Sequence, residues 1–120
     1  MRQSLTTKKY LKNIMSLVFS TKSINIDERT LYGSIGELEN AVIALFWIGE
    51  KPRLGSLSVT LPDKTSSQLL GDRDEFLSRI LGEKLASSSG KIALVSTNLP
   101  VGFEGRVVLK LLNNLLGENK

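Results

Sequence analysis

Fourteen serines and a tight run of carboxylates, Asp72, Asp74 and Glu75, are the residues of this 120-residue chain from which chemistry could be assembled. A serine nucleophile needs a base, and the chain has no histidine to serve as one and no G-x-S-x-G turn to present it. With no cysteine there is no thiolate nucleophile, disulfide, zinc-thiolate or iron–sulfur site. The three carboxylates could suggest a hard metal ion or an acid–base pair. An EF-hand, however, needs oxygen ligands at alternating positions through a twelve-residue loop, and that pattern is missing. Acidic residues at the start of a helix are explained more simply by capping and by the helix dipole. Neither G-x-x-x-x-G-K-S/T nor G-x-G-x-x-G occurs, so nucleotide binding has no support. The expectation is a non-enzyme, with no catalytic, cofactor-binding or metal-binding residue assigned.

Charge offers a second lead. The net charge is +4, but residues 1–22 hold Arg2, Lys8, Lys9, Lys12 and Lys22 with no acid, and the remainder carries −1. The basic stretch has three readings: a solvated tail leading into the first strand, a basic arm for acidic protein or nucleic acid, or a cleaved targeting peptide. Tyr10, Leu11, Ile14, Met15 and Val18 recur at helical spacing, whereas Leu17–Phe19 also fits a strand running on to Ile24 and Ile26. Beyond the tail the chain is slightly acidic and has only seven aromatics in all, which argues against a nucleic-acid surface there. The longest apolar run, 41–48, is far short of the ~20 residues that span a bilayer.

The surrounding pattern predicts the elements that must position any site. Ile24 and Ile26 alternate with polar residues as in a half-buried strand. A second strand is expected over 31–38, a turn at Glu39-Asn40, and a third strand over 41–48. Leu57, Val59 and Leu61 alternate with Ser56, Ser58 and Thr60, so the apolar set is expected to face the core and the hydroxyls water. Residues 62–67 read as a polar loop. Asp72 is the expected N-cap of a helix whose apolar stripe is Phe76, Leu77, Ile80, Leu81 and Leu85, ending at Gly90. A short strand at 92–95 and a helix over 103–117 complete the order β-β-β-β-α-β-α. The expected class is α+β, an antiparallel sheet with helices packed on one face. Residues 1–22 form the basic tail and 23–120 a single domain.

The run Ala41–Ile48 departs from this simple scheme, because a strand with one wet face should alternate and this one is apolar throughout. Either it is a central strand covered on both sides by its own chain, or another protein buries its second face. Phe46 and Trp47 are adjacent and so point to opposite faces, and such aromatics are enriched at protein interfaces. The candidate partner-binding residues are therefore Phe46 and Trp47, Lys51 and Arg53 flanking the next turn, and the outer set Ser56, Ser58 and Thr60.

These residues carry a likeness. Leu45-Phe46-Trp47-Ile48-Gly49-Glu50 resembles the strand ending in W-[VI]-G-[DE] of the fourth-type proteasome assembly chaperones, and Pro52 and Leu54 resemble the turn that follows it. Leu69-Leu70-Gly71-Asp72 is similar to that family's L-L-G-D step into a helix, and Val95-Ser96-Thr97-Asn98-Leu99 to its V-S-x-N-L strand end. The motifs run in order over about 29–117; the third-type chaperones fit them less well. The basic tail has no counterpart in the family, and the loop before Leu69 is short. The resemblance implies a non-enzymatic chaperone without cofactor, paired with a third-type partner or with itself in isolation. Such a pair would bind a proteasome α-type subunit, the fifth in this family, and promote assembly of the 20S α-ring in the cytoplasm and nucleus. Neither nucleic acid nor membrane is an expected partner on this reading. The alternative is a nucleic-acid-binding domain that uses the basic arm.

Overall fold

The computed structural model describes residues 17–71 and 73–117. Among these residues six strands and two helices follow one another: β1 (Phe19–Ile26), β2 (Arg29–Glu37), β3 (Ala41–Ile48), β4 (Ser56–Thr60), β5 (Ser66–Leu70), α1 (Glu75–Ser89), β6 (Ile92–Asn98) and α2 (Gly105–Leu115). The strands form one sheet in the order β1-β2-β3-β6-β4-β5. Both helices lie on the same face, which gives the expected α+β class. The first 16 residues of the tail fall outside the described part; β1 begins at Phe19, and Lys22 lies within it.

Two features of the sheet differ from the sequence expectation. β6 enters between β3 and β4 and pairs parallel with β3, while the remaining ladders are antiparallel, so the sheet is mixed. After the β4–β5 hairpin, α1 crosses over and returns the chain into the centre of the sheet, a connection that a parallel neighbour requires. β3 and β6 are thus the two central strands, which is one reason β3 is apolar at every position. The second difference is β5, which occupies what reads as loop and its exit. Ser66, Ser67 and Gln68 have little intrinsic strand preference. Pairing with β4 imposes the strand, assisted by a 2.8 Å hydrogen bond between Thr60 Oγ1 and Ser66 Oγ. The hairpin is closed by Leu61 N–H donating to Thr65 O and by Thr65 N–H donating to Asp63 Oδ1, both at 2.9 Å. The Thr65 amide lowers the Asp63 pKa from its ordinary value of 3.8.

The core lies between the sheet and the helices. Leu31, Val42, Ala44, Phe46, Ala93 and Val95 point up from the strands to meet Leu81, Leu85 and Ala86 of α1 and Val108, Leu111 and Leu112 of α2. α2 sits over Gly33, where an added Cβ would approach Leu111 and Phe46 to 2.9 Å. Its buried positions match the apolar spacing expected of the last helix.

α1 is rotated from the expected stripe. Its buried positions are Ser78, Leu81, Gly82, Leu85 and Ala86, and Phe76 is 70 % exposed. The reason lies beneath it. Ser56, Ser58 and Thr60 share a face with their β6 partners Thr97, Val95 and Ala93, which is the face that α1 covers. All three hydroxyl residues are buried rather than turned to water, with Thr60 at 0 % exposure. A helix can approach such short side chains closely only through small residues of its own, and Ser78, Gly82 and Ala86 recur at intervals of four. A Cβ on Gly82 would overlap Thr60 Oγ1. The helix begins at Glu75 with Asp74 at the N-cap position in the left-handed region, and the Asp74 side chain makes no cap hydrogen bond. The capping pair expected of Asp72 and Glu75 is therefore replaced by a later start, and Asp72 itself lies outside the described residues. Gly90, also left-handed, ends the helix by donating its N–H to Ala86 O.

The packing of α1 on β4 yields a pair of opposite predictions. Gly82→Val should cost about 1–3 kcal/mol by forcing α1 off Thr60. Ser78→Ala removes a buried hydroxyl without a partner and should gain about 1 kcal/mol. Urea denaturation of both variants measures this, and equal effects of the same sign would contradict the packing described. Because the native pKa of Asp63 is depressed, its stabilisation is present above the unfolded pKa and is lost as pH falls through the native one. The stability gap between wild type and Asp63→Ala at pH 7 should accordingly narrow as the pH falls below the ordinary carboxyl value of 3.8.

Candidate functional site

The side chains that do not face the helices form the other face of the sheet. Register places them in rows: Ser34, Leu45, Ser96, Leu57 and Leu70 align across β2, β3, β6, β4 and β5, and Gly36, Ile43, Leu94 and Val59 align beside them. Tyr32 and Trp47 are also opposite each other, and their rings stack with centroids 5.7 Å apart and 6° between planes. On β1, the Phe19 ring lies over Gly36, where a Cβ would come within 2.8 Å of it. Ile43, Leu45, Leu57, Val59 and Leu94 are half-buried, Leu70 is 52 % exposed and Phe19 38 %. No helix among the described residues covers this face. At one end the loop 49–55 borders it. Glu50 and Pro52 line a shallow recess with Phe19, Tyr32, Leu45 and Trp47. Gly55 N–H donates to Ser96 Oγ, and Asn98 Nδ2 donates to Leu54 O, which fasten the loop to β6.

The structure divides the sequence-derived candidates. Phe46 is fully buried in the helix-side core, whereas Trp47 points to the open face, where its Nε1 is buried without an acceptor among the described residues. Lys51 and Arg53 are exposed on the bordering loop. Ser56, Ser58 and Thr60 are buried under α1 and do not form the outer face expected of them. Tyr32, Leu45, Leu57, Val59 and Leu94, which line the face in their place, look like core residues in the sequence. The alternation of β4 identifies two sets of side chains but not which set meets the helices. The signal that decides it is the small-residue interval Ser78, Gly82, Ala86 in the helix.

The carboxylate cluster comes apart in three dimensions. Glu75 lines a small cleft with Ser58, Ser66, Gln68 and Arg79, while Asp74 lines a separate groove with Phe76, Leu77 and Phe103. Among the described residues, no three His, Cys, Asp or Glu side chains converge as a metal site would require, and no helix is long and apolar enough to cross a membrane. Apolar area, aromatic edges and a few hydroxyls make the open face suited to shape-based contact with another protein.

No protein-family model and no curated protein sequence matches the chain. Its fold, however, is similar to that of a solved chain described as "a Novel Chaperone Complex for Yeast 20S Proteasome Assembly". The similarity has a TM-score of 0.56 at 10% sequence identity, and covers 85% of this chain and 89% of that one. The two proteins share their architecture.

Trp47 is the chain's single tryptophan, so its fluorescence reads the open face directly. Tyr32→Ala should shift the emission to the red and cost about 0.5–1.5 kcal/mol for the lost aromatic pair beyond its area. An unchanged spectrum would mean that the stack does not shield the indole.

Proposed function

We propose that this protein is a non-enzymatic assembly chaperone that pairs with a second chain through its open sheet face. The pair then binds a proteasome α-type subunit and promotes assembly of the 20S α-ring. The observation that carries the reading is the inversion of β4, which places Leu57 and Val59 outside and its hydroxyls inside. Six strands spaced about 4.8 Å apart and about 17 Å long present roughly 500 Å² of flat face. That is of the order of one partner's share of a standard interface, about 800 Å² of accessible surface. A chain folded to work alone has little reason to expose so much apolar sheet.

Support for the proteasome itself comes from the likeness in fold to the yeast complex and from the ordered motifs of the fourth-type chaperones. On this reading the pairing partner is a third-type chaperone, or a second copy in isolation. The bound subunit is the fifth α-type, and the work is done in the cytoplasm and nucleus. The pair would act by surface complementarity, favouring one arrangement of subunits and obstructing others, and no cofactor is invoked. A nucleic-acid partner is less well suited, since the open face is apolar rather than basic.

Co-expression with a third-type chaperone, followed by size-exclusion chromatography with light scattering, tests the pairing. Leu45→Glu combined with Leu70→Glu should lower capture of the partner at least tenfold, while Arg106→Glu on the helix side should leave it unchanged. A wild-type chain that stays monomeric and captures neither a third-type chaperone nor any proteasome α-type subunit would overturn the proposal.

A further inference from the structure

The recess at the end of the open face has a single charged residue in its lining. Glu50, just past the end of β3, borders about 440 Å³ of space together with Phe19, Thr21, Tyr32, Ser34 and Trp47. Among the described residues the ion pairs are those of Lys91 with Glu37 and of Arg106 with Glu104, so Glu50 has no cation of its own there. Thr21 Oγ1 and Ser34 Oγ lie 2.8 Å apart and share a hydrogen bond. That bond uses one hydroxyl hydrogen and leaves lone pairs on both oxygens free to accept. Every wall of the recess therefore suits a cation. The faces of the three rings, Phe19, Tyr32 and Trp47, attract positive charge through their quadrupoles. Glu50 attracts it directly, and the hydroxyl oxygens can accept from its N–H groups.

Covering the face turns this suitability into a requirement. A partner seated over Tyr32 and Trp47 takes water away from Glu50 beside them, and a carboxylate enclosed without a cation is strongly disfavoured. Lys51 and Arg53 follow on the same loop, but both are exposed and neither lines the recess. The incoming chain is then the source of the missing charge. A guanidinium matches the recess better than an ammonium does. It is planar and weakly hydrated, so it can lie against a ring, and its fork of donors can reach a carboxylate and a neighbouring hydroxyl together. We infer that the recess receives an arginine side chain of the protein that covers the open face, with the guanidinium held between the aromatic rings and Glu50. The inference rests on the pairing proposed above and adds the chemistry by which a partner is chosen. A contact segment that places an arginine among apolar residues is accepted, and one with an acidic or neutral side chain at that point leaves Glu50 uncompensated and is disfavoured.

The fluorescence of Trp47, the single tryptophan, follows a titration of the full-length protein with three probes: Nα-acetylarginine amide, its neutral isostere Nα-acetylcitrulline amide, and Nα-acetyllysine amide. The arginine amide should bind roughly fivefold more tightly than the citrulline amide, with the lysine amide weaker than the arginine one. Glu50→Gln should lower the affinity for the arginine amide to that for the citrulline amide. No binding, equal binding of all three, or a preference indifferent to Glu50→Gln would each overturn the inference. Binding of the arginine amide that appears only after Lys8, Lys9 and Lys12 are changed to Gln would assign the recess to the chain's own cations and would overturn it too. Co-expression with a third-type chaperone keeps the arginine contact apart from the pairing itself. Wild type that captures its partner, with Glu50→Gln capturing several times less, is the result expected. Equal capture by both would overturn the arginine contact and leave the pairing standing, whereas a wild-type chain with no partner would overturn the pairing whatever the titration gives.

Discussion

The close approach of α1 to β4 is the contact on which the remaining geometry depends. Gly82 lies against Thr60 so tightly that no side chain fits between them, and Ser78 and Ala86 extend the seam along the helix. Two consequences follow from this one choice of small residues. The hydroxyl set of β4 is enclosed, leaving Ser58, Ser78 and Thr97 with buried oxygens that lack partners among the described residues, and the apolar set is turned outward. Rotating α1 to bury its own large residues would lift it off the strand. Phe76 therefore stays exposed, and Leu77 and Ile80 line the side of a groove beside α2. The unsatisfied hydroxyls weigh against the isolated fold by an amount that better side chains could have avoided. The arrangement makes physical sense if the outward set is useful.

The rest of the sheet follows the same division. β3 and β6 are central and supply core on one side through Ala44, Phe46, Ala93 and Val95. On the other side they offer Ile43, Leu45 and Leu94, which no helix among the described residues covers. α2 finds its seat over Gly33, whose missing side chain admits Leu111 and Phe46 together. With each helix fixed at its own glycine, α1 over β4 and α2 over β1 and β2, the two stand apart. The clefts between them are a result of that spacing.

Much of this was legible in the sequence. The positions of β3 and of the two helices follow from runs and periodicities that a single chain displays, and the opposition of Phe46 and Trp47 follows from strand geometry alone. β5 was not legible, because Ser66, Ser67 and Gln68 become a strand only through pairing at the edge of a sheet. The parallel entry of β6 was equally hidden, since strand order is set by the crossover and not by any local pattern. The most instructive miss is β4. An alternating strand shows two faces, and which of them meets the helices depends on the size of the helix side chains packed above it. Here the layer on the helix side is built from Ser, Gly and Ala, so the usual assignment reverses.

That reversal bears on how such a protein could work. Leu57, Val59, Leu45 and Leu94 each retain part of the roughly 1.5–3 kcal/mol that full burial of such a side chain yields. The lone chain forgoes this stabilisation, and pairing would recover it, so the folded state would be most stable when the open face is covered. The polar interruptions Ser34 and Ser96, both buried within the sheet surface, keep the face from being uniformly greasy and give it shape. Binding that draws on modest, distributed apolar contact is selective through fit and remains reversible. Those properties would suit the assembly role proposed for the chain.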